Sequence, residues 1–132
     1  MKKPFTLIIA ALLFAMSSFG QSALDNWPEM KAYHTVLSQT FHPAEEGDLK
    51  PIRKRSHELL ADIKLVNASP LPAELDNEDM RKLLKKLQKE NDKLNAFVVR
   101  EEQSATVMKQ LTIVHDIFHE ILGICKKDKT DK

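Results

Sequence analysis

The chain has 132 residues and carries 20 Lys+Arg against 19 Asp+Glu, a formal net charge of +1. That balance excludes a bulk electrostatic drive toward nucleic acid or an anionic membrane. With 3 Gly and 1 Cys in the whole chain, a disulfide framework and a Cys-clustered metal site are excluded, and little is left for the hairpin turns of a sheet fold.

The first segment reads as an export address. Lys2 and Lys3 precede Thr6–Met16, an apolar run without a charge, and Ser18 and Gly20 place small residues where a signal peptidase inspects the chain. The expected signal peptide is 1–20, with cleavage before Gln21; cleavage after Ala23 is the alternative. Residues 21–132 then form one domain of 112 residues with 18 Lys+Arg against 19 Asp+Glu, a net charge of −1. No later stretch is continuously apolar over a membrane thickness. A periplasmic or secreted protein, without membrane association after cleavage, is the expected product.

Four amphipathic segments follow. The first is expected over 28–42: Pro28 suits a first helical turn, Asp25 or Asn26 offers a cap, and Pro43 disfavours helix in the residue before it. Its apolar stripe is Met30, His34, Leu37 and Phe41. The second is expected over 48–67, with Asp48 as cap and a stripe through Leu49, Ile52, Ser56, Leu59/Leu60, Ile63 and Val66. Near its end Asn67-Ala68-Ser69 matches a glycosylation acceptor. The third begins at Asp76 or Asn77, runs to about residue 100, and carries Met80, Leu84, Leu87, Asn91, Leu94 and Val98 between charged residues. The fourth, 104–125, carries Val107, Leu111, Val114, Phe118, Ile121 and Cys125, with a bend at Arg100–Ser104 and Ser104 as a cap. The fold class that follows is all-α, an up-down-up-down four-helix bundle.

The histidines are the chemically specific signal. His115 and His119, four residues apart, share one helical face and can chelate one metal ion. At about 1.5 Å of rise per residue, His34 sits roughly 10 Å from the start of the first helix, and His119 lies about 9 Å back from Cys125 on an antiparallel fourth helix. His57, rising from the opposite end on the second helix, reaches about the same level. His42 lies in a different setting, among Glu45, Glu46 and Asp48, where an imidazole and carboxylates offer a second divalent site through His42 and Glu46. The alternatives are ordinary ones: a surface His57, a half-buried His34, and acids drawn to a helix N-terminus. Cys125 and Met30 read as core residues.

Met30 early on the first helix and His119 late on the fourth resemble the axial ligand pair of soluble periplasmic b-type cytochromes, in the cytochrome c′-like bundle superfamily. Where c-type members carry Cys-x-x-Cys-His, His115-Asp116-Ile117-Phe118-His119 keeps the final His alone, so covalent haem attachment is excluded. The resemblance implies a four-helix bundle, and non-covalent haem b bound by Met30 and His119. The third helix departs from it, offering Leu83, Leu84 and Leu87 among lysines where a macrocycle needs aromatic bulk. The chain is therefore similar to haemless relatives of that superfamily that hold a metal ion.

Three functions follow from the sequence. The leading one is binding of a transition-metal ion, Zn or Cu, through His34, His115 and His119, with His57 or His42 and Glu46 completing the sphere. The second is a haem b electron carrier using Met30 and His119. The third is a partner-binding stress-type bundle without a cofactor, whose signature is a third and fourth helix fused through Arg100–Ser104. No protein partner is named by any motif, and no nucleophile–base pair or acid dyad marks an enzyme.

Overall fold

The computed structural model describes residues 24–130, with side chains through Lys127. The expected export segment 1–20 and the cleavage point before Gln21 lie outside the described residues. Those described form four α-helices and no strand: α1 Pro28–Glu45, α2 Lys50–Ala68, α3 Glu78–Val99 and α4 Ser104–Thr130, with a 3-10 turn at Ala73–Leu75. None of these helices is long and apolar enough to cross a membrane.

Each helix buries the stripe its period dictates. Met30, Leu37 and Phe41 on α1, Ile52, Leu59 and Ile63 on α2, Met80, Leu84 and Leu87 on α3, and Leu111, Val114 and Phe118 on α4 meet in one core. Trp27 and Tyr33 add the largest buried side chains. Polar side chains tie neighbours together where stripes leave gaps. Ser56 donates to Asn95 Oδ1 at 2.8 Å, and Asn67 Nδ2 donates to Gln88 Oε1 at 2.8 Å. Gln110 Nε2 reaches Glu90 Oε2 at 2.6 Å, and Arg53 donates to the Glu102 carbonyl at 2.7 Å.

The helix ends differ instructively from expectation. The residue capping α1 is Trp27, without a side-chain bond to the helix, rather than Asp25 or Asn26. At its other end α1 passes through Pro43 to Glu45. Pro43 forfeits only the bond that the carbonyl of exposed Gln39 would accept, while Ala44, 4 % exposed, anchors the extra turn in the core. Gly47, at φ +92°, then closes the helix: Gly47 N–H donates to Ala44 O at 3.0 Å and Asp48 N–H to Pro43 O at 2.9 Å. Asp48 stands just ahead of α2, its Oδ1 accepting from Lys50 N–H at 3.1 Å. Of Asp76 and Asn77, the two starts the sequence left open for α3, the structure makes Asn77 the cap, accepting from Met80 N–H at 2.9 Å.

Between α3 and α4 the chain bends at the anticipated place. Glu101 adopts φ +58°, and Glu102 N–H returns to the Phe97 carbonyl at 3.0 Å. The two helices are separate elements that pack on one another, as Gln110 and Glu90 show.

Candidate metal centre

The imidazoles gather where α1 passes α4. On α1 the period that buries Tyr33, Leu37 and Phe41 leaves His34 on the shoulder of the stripe, half-buried, and His42 beside Phe41, exposed. On α4 the burial of Val114 and Phe118 leaves His115 half-buried and His119 exposed on the adjoining face. Together these four histidines line a cleft of about 190 Å³. Phe41, Phe118, Leu37 and Ser38 supply the rest of its wall.

Aromatic contacts set the ring planes. His115 stacks on Phe41 with centroids 3.7 Å apart and planes 10° from parallel. His34 stacks on Phe118 at 4.9 Å and 16°. Against these fixed rings His119 stands edge-on to His115, at 4.4 Å and 66°. The outcome is a direct approach of two ring nitrogens, His119 Nε2 to His115 Nε2, at 3.2 Å. At that separation one nitrogen donates its proton and the other must be bare.

Burial and the neighbouring imidazoles disfavour protonation of the half-buried rings. Burial lowers the His34 pKa below its ordinary value, and the nearby His119 and His42 lower it further. Burial likewise lowers that of His115, helped by His119 and His42, with Asp116 and Glu45 pulling the other way. Neutral imidazole is the metal-binding form. A divalent ion bound by two imidazole nitrogens at 2.0–2.1 Å in tetrahedral geometry holds them about 3.3 Å apart. The pair on α4 already has that bite.

The other sequence candidates fall elsewhere. His57 is exposed on α2 and does not line the cleft, because buried Ser56 faces Asn95 on α3 and the next residue turns away. Glu46 is exposed at the end of α1, beyond the cleft-lining residues. Met30 is wholly buried and is not part of the cleft wall. Among the described residues, no three His, Cys, Asp or Glu side chains converge on one point. Phe41 and Phe118 are the residues whose role sequence reasoning missed: both are core, as read, yet their ring faces also stack on His115 and His34 and so orient the imidazoles. A hollow of about 360 Å³ between α2 and α3 is larger, but Arg81 there is already paired with Asp76 at 2.6 Å and no histidine enters it. No protein-family model, curated protein or solved structure matches the chain.

Proposed function

We propose that this chain is an exported, up-down-up-down four-helix bundle that binds a divalent transition-metal ion, Zn(II) or Cu(II), at His115 and His119, with His34 and His42 as further donors from α1. Bonds from the start of α2 to the end of α3, and from the end of α2 to the start of α3, support opposed helix directions. The paired ring stacks of His34 with Phe118 and Phe41 with His115 support the same for α1 and α4. Export rests on the composition of residues 1–20, and N-terminal sequencing of the secreted product checks it, with Gln21 expected first.

The observation that carries metal binding is the 3.2 Å approach of two ring nitrogens on one helical face. An i, i+4 pair on a solvated helix need not converge; this one does, with one ring stacked on Phe41. A cleft of about 190 Å³ also suits an ion with its waters better than an organic cofactor, whose sites run to roughly 300–1,000 Å³. Haem b between Met30 and His119 has weaker support, since Met30 belongs to the core rather than to the cleft.

Isothermal titration with Zn(II) and with Cu(II) tests the site. The His115→Ala/His119→Ala variant is expected to lose at least 10–100-fold in affinity, the range already seen for groups that merely orient ligands. Unchanged affinity in that variant overturns the site.

A further inference from the structure

We propose that the groove between α2 and α3, away from the histidine cleft, is a docking site for an acidic peptide segment of a partner protein, held by the lysines of α3 and by a hollow that takes one apolar side chain. The near-neutral total charge conceals an uneven distribution. α2 and α3 together carry 11 Lys and Arg against 6 Asp and Glu, while α1 and α4 together carry 5 of each. On α3, Lys85, Lys86, Lys89 and Lys93 are exposed and enter no ion pair among the described residues, whereas Arg81 pairs with Asp76 and Lys82 with Glu78. Lys85, Lys89 and Lys93 stand four residues apart, a spacing at which like charges on a helix repel and destabilise it. Carboxylates laid along this stripe relieve that repulsion.

The space beside the stripe suits a peptide. Two hollows, of about 360 and 380 Å³, share Asn67 and Lys85 in their walls. Val66, Pro70, Leu71 and Leu84 give the first an apolar lining, and Lys85 and Lys89 border the second. At their shared boundary Asn67 Nδ2 is committed to the Leu84 carbonyl at 3.2 Å and to Gln88 Oε1 at 2.8 Å. That leaves Asn67 Oδ1 to accept and Gln88 Nε2 to donate, the two roles that a peptide backbone's N–H and C=O require. Asp76 and Asp92 also stand in the walls, where they oppose an unbroken run of phosphates, and no aromatic side chain lines either hollow for a base to stack on. A segment mixing carboxylates, amides and an apolar side chain matches this surface, and a nucleic acid does not.

Fluorescence anisotropy with a fluorescein-labelled heptapeptide, Glu-Glu-Glu-Leu-Glu-Glu-Glu, tests the proposal on the whole protein. Saturable binding is expected, weakening as NaCl rises from about 0.05 M to about 1 M, where the screening length falls to about 3 Å. Lys85→Glu/Lys89→Glu should weaken it about tenfold or more by setting like charges opposite one another, with retained helicity checked by circular dichroism. Lys31→Glu/Lys109→Glu, which changes the net charge equally on α1 and α4, should alter affinity by no more than about twofold; an equal loss there means diffuse attraction and overturns the proposal. An all-glutamate heptapeptide is expected to bind more weakly despite its extra charge, because burial of a leucine outweighs one exposed ion pair; equal or tighter binding overturns the amphipathic occupant. Tighter binding of a labelled oligothymidylate of the same charge, or cosedimentation with phosphatidylglycerol vesicles without peptide binding, assigns the face to another anion and also overturns it. So does the absence of peptide binding at low salt, while metal titration of the same sample shows separately whether the histidine site stands.

Discussion

His115 is held from two directions. Phe41 lies flat against one face of its ring, and His119 meets its Nε2 at 3.2 Å, so the side chain has little rotational freedom to lose on binding. Burial disfavours protonation of both His115 and His34, and the neighbouring His119 and His42 add to it. The linkage has a definite sign. With folded-state pKa values below the ordinary 6.5, the unfolded chain binds more protons than the folded one as pH falls through that value. Stability of metal-free protein is therefore full above about pH 6.5 and declines below it. Urea denaturation of EDTA-treated protein between pH 8 and 5 checks this, and His34→Gln/His115→Gln should flatten that part of the profile.

At the level of elements, the helix termini carry the most local information. Asn77 caps α3 because its short amide reaches Met80 N–H, a pattern readable from one Asn ahead of an apolar period. Pro43 misleads by the same logic: its bias against helix is local, whereas burial of Ala44 comes from the packed core. This difference matters to the site, since the helix that carries Phe41 and His42 runs on to Glu45 instead of turning at Pro43. The bend between α3 and α4 stores strain at Glu101, whose φ of +58° is unfavourable for a residue with a β-carbon. Glu101→Gly is expected to stabilise the protein by up to about 1 kcal/mol, the left-handed penalty less the added freedom of the unfolded chain. A higher urea midpoint with an unchanged slope checks it.

At the scale of the whole molecule, a buried hydrogen-bonded pair joins α1 to α3 inside the apolar core. Asn91 Nδ2 donates to Tyr33 Oη at 2.9 Å and to Leu87 O at 2.8 Å, while Asn91 Oδ1 is buried with no hydrogen-bond partner among the described residues. Burial pushes the Tyr33 pKa upward, keeping the phenol protonated. Tyr33→Phe removes one acceptor and leaves an amide proton unsatisfied, a loss of about 1–3 kcal/mol. The double variant Tyr33→Phe/Asn91→Leu, which also removes the orphaned carbonyl oxygen, should cost less than the single one. Paired urea denaturation curves check the order. Since Tyr33 neighbours His34 and packs against Phe118 at 6.1 Å, the same pair supports the wall of the cleft.

Periodicity and scarcity of Gly were enough to determine four helices, their buried stripes, the start of α3 at Asp76 or Asn77 and the break near Arg100–Ser104, because each follows from residues within a few turns of one another. The 3.6-residue repeat also placed His115 and His119 on one face and, with the rise per residue, put His34 at the depth of His119. Direction around the helix axes was another matter. Whether His57 faces the cleft depends on which side of α2 meets α3, and whether His42 joins it depends on how α1 packs against α4. Those are properties of packed neighbours distant in sequence. Only the tertiary structure could turn Phe41 and Phe118 into ring platforms and bring two imidazole nitrogens to 3.2 Å, since side-chain rotamers are selected by the surfaces they pack against.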